Sequence, residues 1–362
     1  MKLPLILLLF LLSFSFQYSS YAQSYNALYS FGDSISDTGN LCVNGNPSWL
    51  TTAQPPYGET FFGRPTGRCS DGRVIVDFLA ETFGLPLPPP SKATGKDFSK
   101  GANMAIIGAT TLDASFFQSI GVGDKIWNSG PLDTQIQWFE QLMPSICSQD
   151  CKNYLSKSLF VVGEFGGNDY NPSLFSGKSP SEVSTYVPKV INAISKGVEK
   201  IIGLGAVDIV VPGVLPIGCF PIYLTLFQSS NQGDTDQAGC MKSFNDLSSY
   251  HNSLLRQALA NLQSKYSWTR IMYADFYDQY YQMAQSPQSF GLTYGFKVCC
   301  GASGQGSYNY NNQARCGMSG SSSCSDPSRY LSWDGIHLTE AAYKSIANGW
   351  LKGPYCNPPI LH

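Results

Sequence analysis

LFVVGEFGGNDYNPSLFSGKSPSEVSTYVPKVINAISKGVEKIIGLGAVDIVVPG, residues 159–213, contains a full strand, helix and strand in succession. Leu159, Phe160, Val161 and Val162 form a short apolar run that empties into residues 163–169, too glycine-rich to continue as strand or helix. Ser179-Pro180-Ser181-Glu182 then has the form of a capping box with proline at the first helical position. Val187, Val190, Ile191, Ile194, Val198 and Ile201 recur behind it at helical spacing, and Pro188 is expected to kink that helix. Gly203 and Gly205 end it. Residues 207–211 are a second apolar run of strand length, closed by Pro212 and Gly213. Apolar strands separated by an amphipathic helix indicate a parallel sheet buried on both faces.

The same alternation extends outward in both directions. Residues 26–31 read as a strand ending at Gly32-Asp33-Ser34, with Gly39 closing the turn, so a strand delivers Ser34 to a loop. Val74, Phe78, Leu79 and Thr82 lie at helical spacing after the capping residues Ser70 and Asp71, and Gly84 with Pro86 stops that helix. A helix is expected over residues 133–143, ended by Pro144, and another over residues 242–265, followed by a strand at 270–273. The last helix is expected from Thr339 to Asn348, with Gly349 ending it. The fold class is therefore α/β: three layers, α/β/α, around a central, mostly parallel sheet whose C-terminal loops converge on the site. Residues 291–333 are rich in Gly, Ser, Asn and Tyr and have little periodicity. They are expected to form a structureless wall of the site, fixed by disulfides among Cys299, Cys300, Cys316 and Cys324.

Residues 1–22 read as a signal peptide: Lys2, an apolar run from Leu3 to Phe16, and small residues at Ser20 and Ala22 before a cleavage point near Gln23. The apolar run is shorter than a bilayer span. Residues 23–362 are expected to form a single domain, with no stable membrane insertion of the mature chain. Secretion to the extracellular space, the apoplast or the vacuole follows. Eleven cysteines favour an oxidising compartment, and their odd number leaves at least one unpaired. Zinc is the rival reading, but no histidine lies near Cys147 and Cys151, or near Cys299 and Cys300, to complete a ligand set. Charged residues make up 13% of the chain and the formal net charge is −2, so there is no basic footprint for nucleic acid. A monomer is expected.

Catalysis through serine needs a base within hydrogen-bond reach, and the chain has three histidines. His362 is terminal. His251 lies inside the helix at 242–265, where a packed, hydrogen-bonded core residue is the simpler reading. His337 stands three residues after Asp334, and a carboxylate at that spacing on a tight turn can reach the imidazole Nδ1 proton and fix its tautomer. The Gly-x-Ser-x-Gly elbow is absent, so the serine comes from elsewhere.

Four segments carry a family resemblance: FGDSISDTGN at 31–40, GANMAIIGAT at 101–110, GGND at 166–169 and DGIHLTEAAY at 334–343. In order and spacing they resemble the signature blocks of plant GDSL esterases/lipases in the SGNH hydrolase superfamily, which implies a flavodoxin-like arrangement of the sheet. The resemblance implies that Ser34 is the nucleophile, His337 the base and Asp334 its orienting acid. It also implies an oxyanion hole of the Ser34 and Gly108 backbone N–H groups and the Asn168 side-chain amide. Asp33, Asp37 and Asn40 are read as structural, with Asp37 capping the helix after the nucleophile loop. Met104 stands where the family often has an aromatic, and Cys42 and Cys69 lie where no fixed cysteine is expected.

The chemistry that follows is acyl transfer from a small-molecule ester to water through a Ser34 acyl-enzyme, with no metal or cofactor. Three alternatives are an acyltransferase using the same residues, a lipase on longer-chain esters, and a catalytically dead binding protein. The last should have lost one of the five residues, and all remain. The GRCSDGR segment and the ending WDGIHLTEAAYK look most similar to esterases of acylated specialised metabolites, such as acetylated alkaloids or phenolic choline esters.

Overall fold

Five short strands line up in parallel, and the residues of the central ones are covered on both faces. In the computed structural model, which describes residues 24–43, 45, 50–127 and 130–361, they are β1 (Leu28–Phe31), β2 (Gly101–Asn103), β3 (Leu159–Val162), β4 (Asp208–Pro212) and β5 (Arg270–Ala274). Their order across the sheet is β2-β1-β3-β4-β5, and a two-residue strand, Cys356–Asn357, pairs antiparallel on the β5 edge. Every residue of β1, β2 and β3 is buried. The order reverses between β1 and β3, and at such a switch point the loops leaving the two strands diverge to opposite faces, opening a crevice.

Helices α1 (Ile75–Thr82), α2 (Leu132–Ile146), α3 (Gly167–Phe175), α4 (Val187–Leu204), α5 (Lys242–Lys265), α6 (Phe276–Gln285) and α7 (Glu340–Lys352) surround the sheet. α4 packs on α2 and α5, while α7 packs on α1 and α6. Phe139, Phe160, Tyr29, Trp350 and Tyr343 are among the large side chains fully buried between these layers.

Several element ends differ from expectation, each for a local reason. Pro188 does not kink a helix. The capping box starts a separate turn, Pro180–Val183, a 3-10 turn follows at Ser184–Tyr186, and Pro188 falls in the first turn of α4, where its missing N–H has no partner to lose. Pro144 does not end α2, which runs two residues further to Ile146. Gly203 lies within α4, and it is Gly205, at φ 124°, that caps the helix. Gly349 likewise lies inside α7, because a Cβ there would come within 2.5 Å of the Gln279 side chain on α6. The helix stops instead at Gly353, at φ 76°.

Residues 291–333 are not structureless. Tyr294–Val298 pairs in parallel with Tyr330–Ser332, and Cys300–Gly301 pairs antiparallel with Ser322–Ser323. Cys299–Cys324 and Cys300–Cys316 close the lobe, while Cys147–Cys151 and Cys219–Cys240 lie elsewhere. Cys42, Cys69 and Cys356 are unpaired. Short backbone hydrogen bonds explain the missed strands: Cys299 and Cys300 donate to Ser332 and Trp333, so the lobe is built on long-range pairing, which local periodicity does not reveal. The segment read as a signal peptide lies outside the described residues. Among those described, no helix is long and apolar enough to cross a membrane.

Candidate active site

Ser34 follows β1 directly, and the turn that presents it is held from several sides. The buried Gln135 of α2 clamps Gly32, accepting from its N–H at 2.9 Å and donating to its carbonyl at 2.8 Å. The N–H groups of Ser36 and Asp37 return to the Asp33 carbonyl. The Asp37 carboxylate accepts from the N–H groups of Gly39, Asn40 and Ile107, so it holds the start of the 3-10 turn Asn40–Cys42 and ties the Ser34 loop to the segment carrying Gly108. Burial nevertheless pushes the Asp37 pKa up to about 6. Arg68 forms a buried, two-pronged pair with Asp77 of α1 at 2.7 Å and donates to the Thr38 carbonyl, fixing this loop to the helix layer.

His337 arrives from the opposite end of the chain. In the turn Asp334–His337, one Asp334 carboxylate oxygen accepts from the N–H groups of Ile336 and His337 at 3.0 and 2.8 Å. The other lies 2.7 Å from His337 Nδ1, and His337 Nε2 lies 2.8 Å from Ser34 Oγ. Gly335 holds φ +104°, and a Cβ there would meet the Tyr310 ring at 2.6 Å, so the turn needs glycine. Ser34, Asp334 and His337 thus form one hydrogen-bonded chain. Burial opposes charge on Asp334, but His337 and the two backbone donors hold its pKa below the usual carboxylate range. Burial also opposes charge on His337, yet the Asp334 carboxylate, with Cys69 beside the ring, outweighs it and raises the imidazole pKa well above its usual value.

Gly108 lies on the loop after β2, at φ +79°, with the Trp127 ring against it. Among the described residues, neither its N–H nor that of Ser34 has an acceptor, the state required of groups awaiting an oxyanion. Asn168 opens α3 beside them. Its amide donates to Asp33 at 2.7 Å and to the Ala109 carbonyl at 3.1 Å, so both hydrogens have acceptors. Asp169 ties α3 to the same loop, accepting from the N–H groups of Thr111 and Leu112.

Four further side chains neighbour this chain of residues, and sequence reasoning gave none of them a place at the site. Tyr57 donates to Asp334 Oδ2 at 2.8 Å. The buried Cys69 thiol lies against His337, and burial raises its pKa. Asp33, read as structural, holds the Asn168 amide, and burial raises its pKa to about 7. Glu164, after β3, is buried beside it and raised well above its usual value, first by burial and then by the Asp33 charge. Tyr57 carries no local sequence signal that would tie it to Asp334, which lies 277 residues away. His251 is buried on α5, 2.7 Å from the Tyr170 hydroxyl, and burial lowers its pKa to about 3. His362 lies outside the described residues.

Two spaces adjoin each other beside the site. A small one of about 30 Å³ touches Ser34 itself and is walled by Ile35, Leu215, Ile217 and Phe220. A larger one of about 590 Å³ adjoins Gly108 and contains Trp127, Phe175 and Phe227. They share Asn168, Asn171 and Ile336. Among the described residues, no group of three or more His, Cys, Asp or Glu could hold a metal ion.

Known proteins share this plan. The family model described as GDSL-like Lipase/Acylhydrolase matches residues 28–350. The chain is 43% identical over 366 residues to GDSL esterase/lipase At5g45910 of Arabidopsis thaliana, covering 97% of this chain and 98% of that protein. It is 43% identical over 343 residues to GDSL esterase/lipase At1g28600 of the same plant, covering 93% and 86%. To the sinapine esterase of Brassica napus it is 43% identical over 348 residues, covering 92% and 87%. With a central parallel sheet, a serine turn after its first strand and matches along nearly its whole length, the chain belongs to the GDSL-like lipase/acylhydrolase family and is a carboxylic ester hydrolase.

Proposed function

We propose that residues 23–362 act as one secreted serine hydrolase domain that cleaves small acyl esters of plant metabolites through a Ser34 acyl-enzyme. The observation that carries this reading is the unbroken hydrogen-bonded path Ser34–His337–Asp334, at 2.8 and 2.7 Å. His337 Nε2 takes the Ser34 proton as Oγ attacks the ester carbonyl, and Asp334 stabilises the imidazolium. The N–H groups of Ser34 and Gly108 receive the oxyanion, which they can do without leaving another partner. Asn168 joins them by turning one amide hydrogen from Asp33 or Ala109 toward the oxyanion. His337 then protonates the departing alcohol and activates water against the acyl-enzyme. The unequal spaces support a compact acyl group in the small one and a bulky alcohol in the large one.

Four disulfides support passage through an oxidising compartment, and N-terminal sequencing of the mature protein should begin near Gln23. The decisive experiment is single-turnover mixing with an aryl acetate, followed by intact-mass and peptide analysis. An acetyl adduct on Ser34, absent from Ser34→Ala, is expected. A folded, active enzyme that accumulates no Ser34 adduct under any quench condition would overturn the acyl-enzyme. Adding acceptor alcohols and analysing products separates hydrolysis from acyl transfer, which would give new esters at the expense of acid.

A further inference from the structure

The larger cavity carries a pattern of charge and hydrogen-bond donors that ester hydrolysis alone does not use. Among the described residues no Asp or Glu lines it, whereas Lys125 and Arg315 do. Lys125 is paired with Asp124 at 2.8 Å. Arg315 has no ion pair or hydrogen bond through its guanidinium among the described residues. Its place is nevertheless fixed. It precedes Cys316, which is bridged to Cys300, and Cys300 N–H donates to the Trp333 carbonyl at 2.7 Å, one residue before Asp334. A cation is thus anchored to the segment that carries the acid of the triad.

The polar side chains around it are turned the same way. Asn171 accepts from the Tyr223 hydroxyl and Asn312 from the Tyr310 hydroxyl, so each amide carbonyl is occupied. Their NH₂ groups have no acceptor among the described residues. Of the exposed large hydrophobic side chains among the described residues, Trp127, Phe175 and Leu226 lie in this cavity, which gives it apolar area for the body of a ligand. Apolar walls, unoccupied donors and an uncompensated guanidinium complement a ring or chain that ends in a carboxylate. A quaternary ammonium would find aromatic faces here but also a repelling charge and no carboxylate.

We infer that the ester bound in this cavity carries a carboxylate, or an equivalent anionic oxygen group, recognised by Arg315. The inference rests on the hydrolase reading above and specifies its substrate class. Arg315 is solvent-exposed, so its attraction is screened by salt and modest in size.

The test uses three acetyl esters of one shape: 4-acetoxybenzoate, its neutral methyl ester, and 4-(trimethylammonio)phenyl acetate. Each kcat/KM is divided by the rate constant for hydroxide-catalysed hydrolysis of the same ester, which removes differences in leaving-group reactivity. The wild-type protein should prefer the carboxylate over both others, and the preference should shrink as ionic strength rises. Arg315→Met should lower the carboxylate-to-neutral ratio about threefold, while Arg315→Lys should recover part of it. A wild-type ratio at or below one, or a ratio unmoved by Arg315→Met, overturns the inference while leaving the hydrolase intact. Absence of Ser34-dependent turnover of all three esters would overturn the hydrolase reading, and this inference with it.

Discussion

At the scale of single residues, the path from Asp334 through His337 to Ser34 assigns sharply different work to the two described histidines. His337 touches the serine, whereas His251 is buried on α5 with Nδ1 against the Tyr170 hydroxyl, and burial lowers its pKa to about 3. Ser34→Ala and His337→Ala should each lower kcat by several orders of magnitude, and the double variant should be little worse, because the two groups act as a unit. His251→Ala should lower the melting temperature instead; loss of turnover in folded His251→Ala protein would refute the assignment of the base. The pH profile follows from the raised His337 pKa. The imidazole must be neutral to accept the Ser34 proton, so the acidic limb of kcat/KM should lie above the ordinary imidazole value of about 6.5. Asp334→Asn removes the opposing charge, so the limb should move to lower pH while the plateau falls. A wild-type limb at or below that value, unmoved in Asp334→Asn, contradicts the electrostatic account. The sign for stability is the same: His337 contributes fully below its unfolded-state pKa, and the contribution fades as pH rises through the folded value.

At the scale of elements, the site is assembled at the C-terminal ends of three neighbouring strands. β1 supplies Ser34, β2 leads to Gly108 and β3 to Glu164 and Asn168. The histidine turn comes from outside this sheet, carried by Tyr330–Ser332 and its partner strand Tyr294–Val298. The bridge Cys300–Cys316 spans 16 residues of this lobe, and closing a loop of that size contributes on the order of 3 kcal/mol. Replacing both cysteines by serine should therefore lower stability by about that amount in urea titration. It should also reduce kcat/KM, because Cys300 is hydrogen-bonded to the segment leading into Asp334. Unchanged stability with free thiols at Cys299, Cys300, Cys316 and Cys324 in the wild-type protein would remove the lobe's supposed support.

At the scale of the whole molecule, substrate size follows from the space around Ser34. The cavity touching it holds about 30 Å³, and an apolar pocket discriminates by about 1–3 kcal/mol per methylene, so the preference should be graded. A series of p-nitrophenyl esters should show the highest kcat/KM at acetyl or similarly short chains, with no jump above the micelle threshold. A maximum at long chains with interfacial activation would identify a lipase.

The sequence alone determined the layered fold, because alternating apolar runs and helical stripes are local properties of strands and helices buried in a sheet sandwich. Three histidines and a carboxylate three residues ahead of one of them also narrowed the base, since that geometry is contained within a single turn. Element ends at Pro188 and Gly349 were misread, because a proline in a first turn and a glycine under a neighbouring helix depend on what packs there. Tertiary structure alone brought Tyr57 to Asp334 across 277 residues, Asn168 to Asp33 across 135, and Arg315 to the cavity rim through a disulfide. Contacts between side chains far apart in the chain depend on how layers pack and loops close, and no local pattern of residues encodes them.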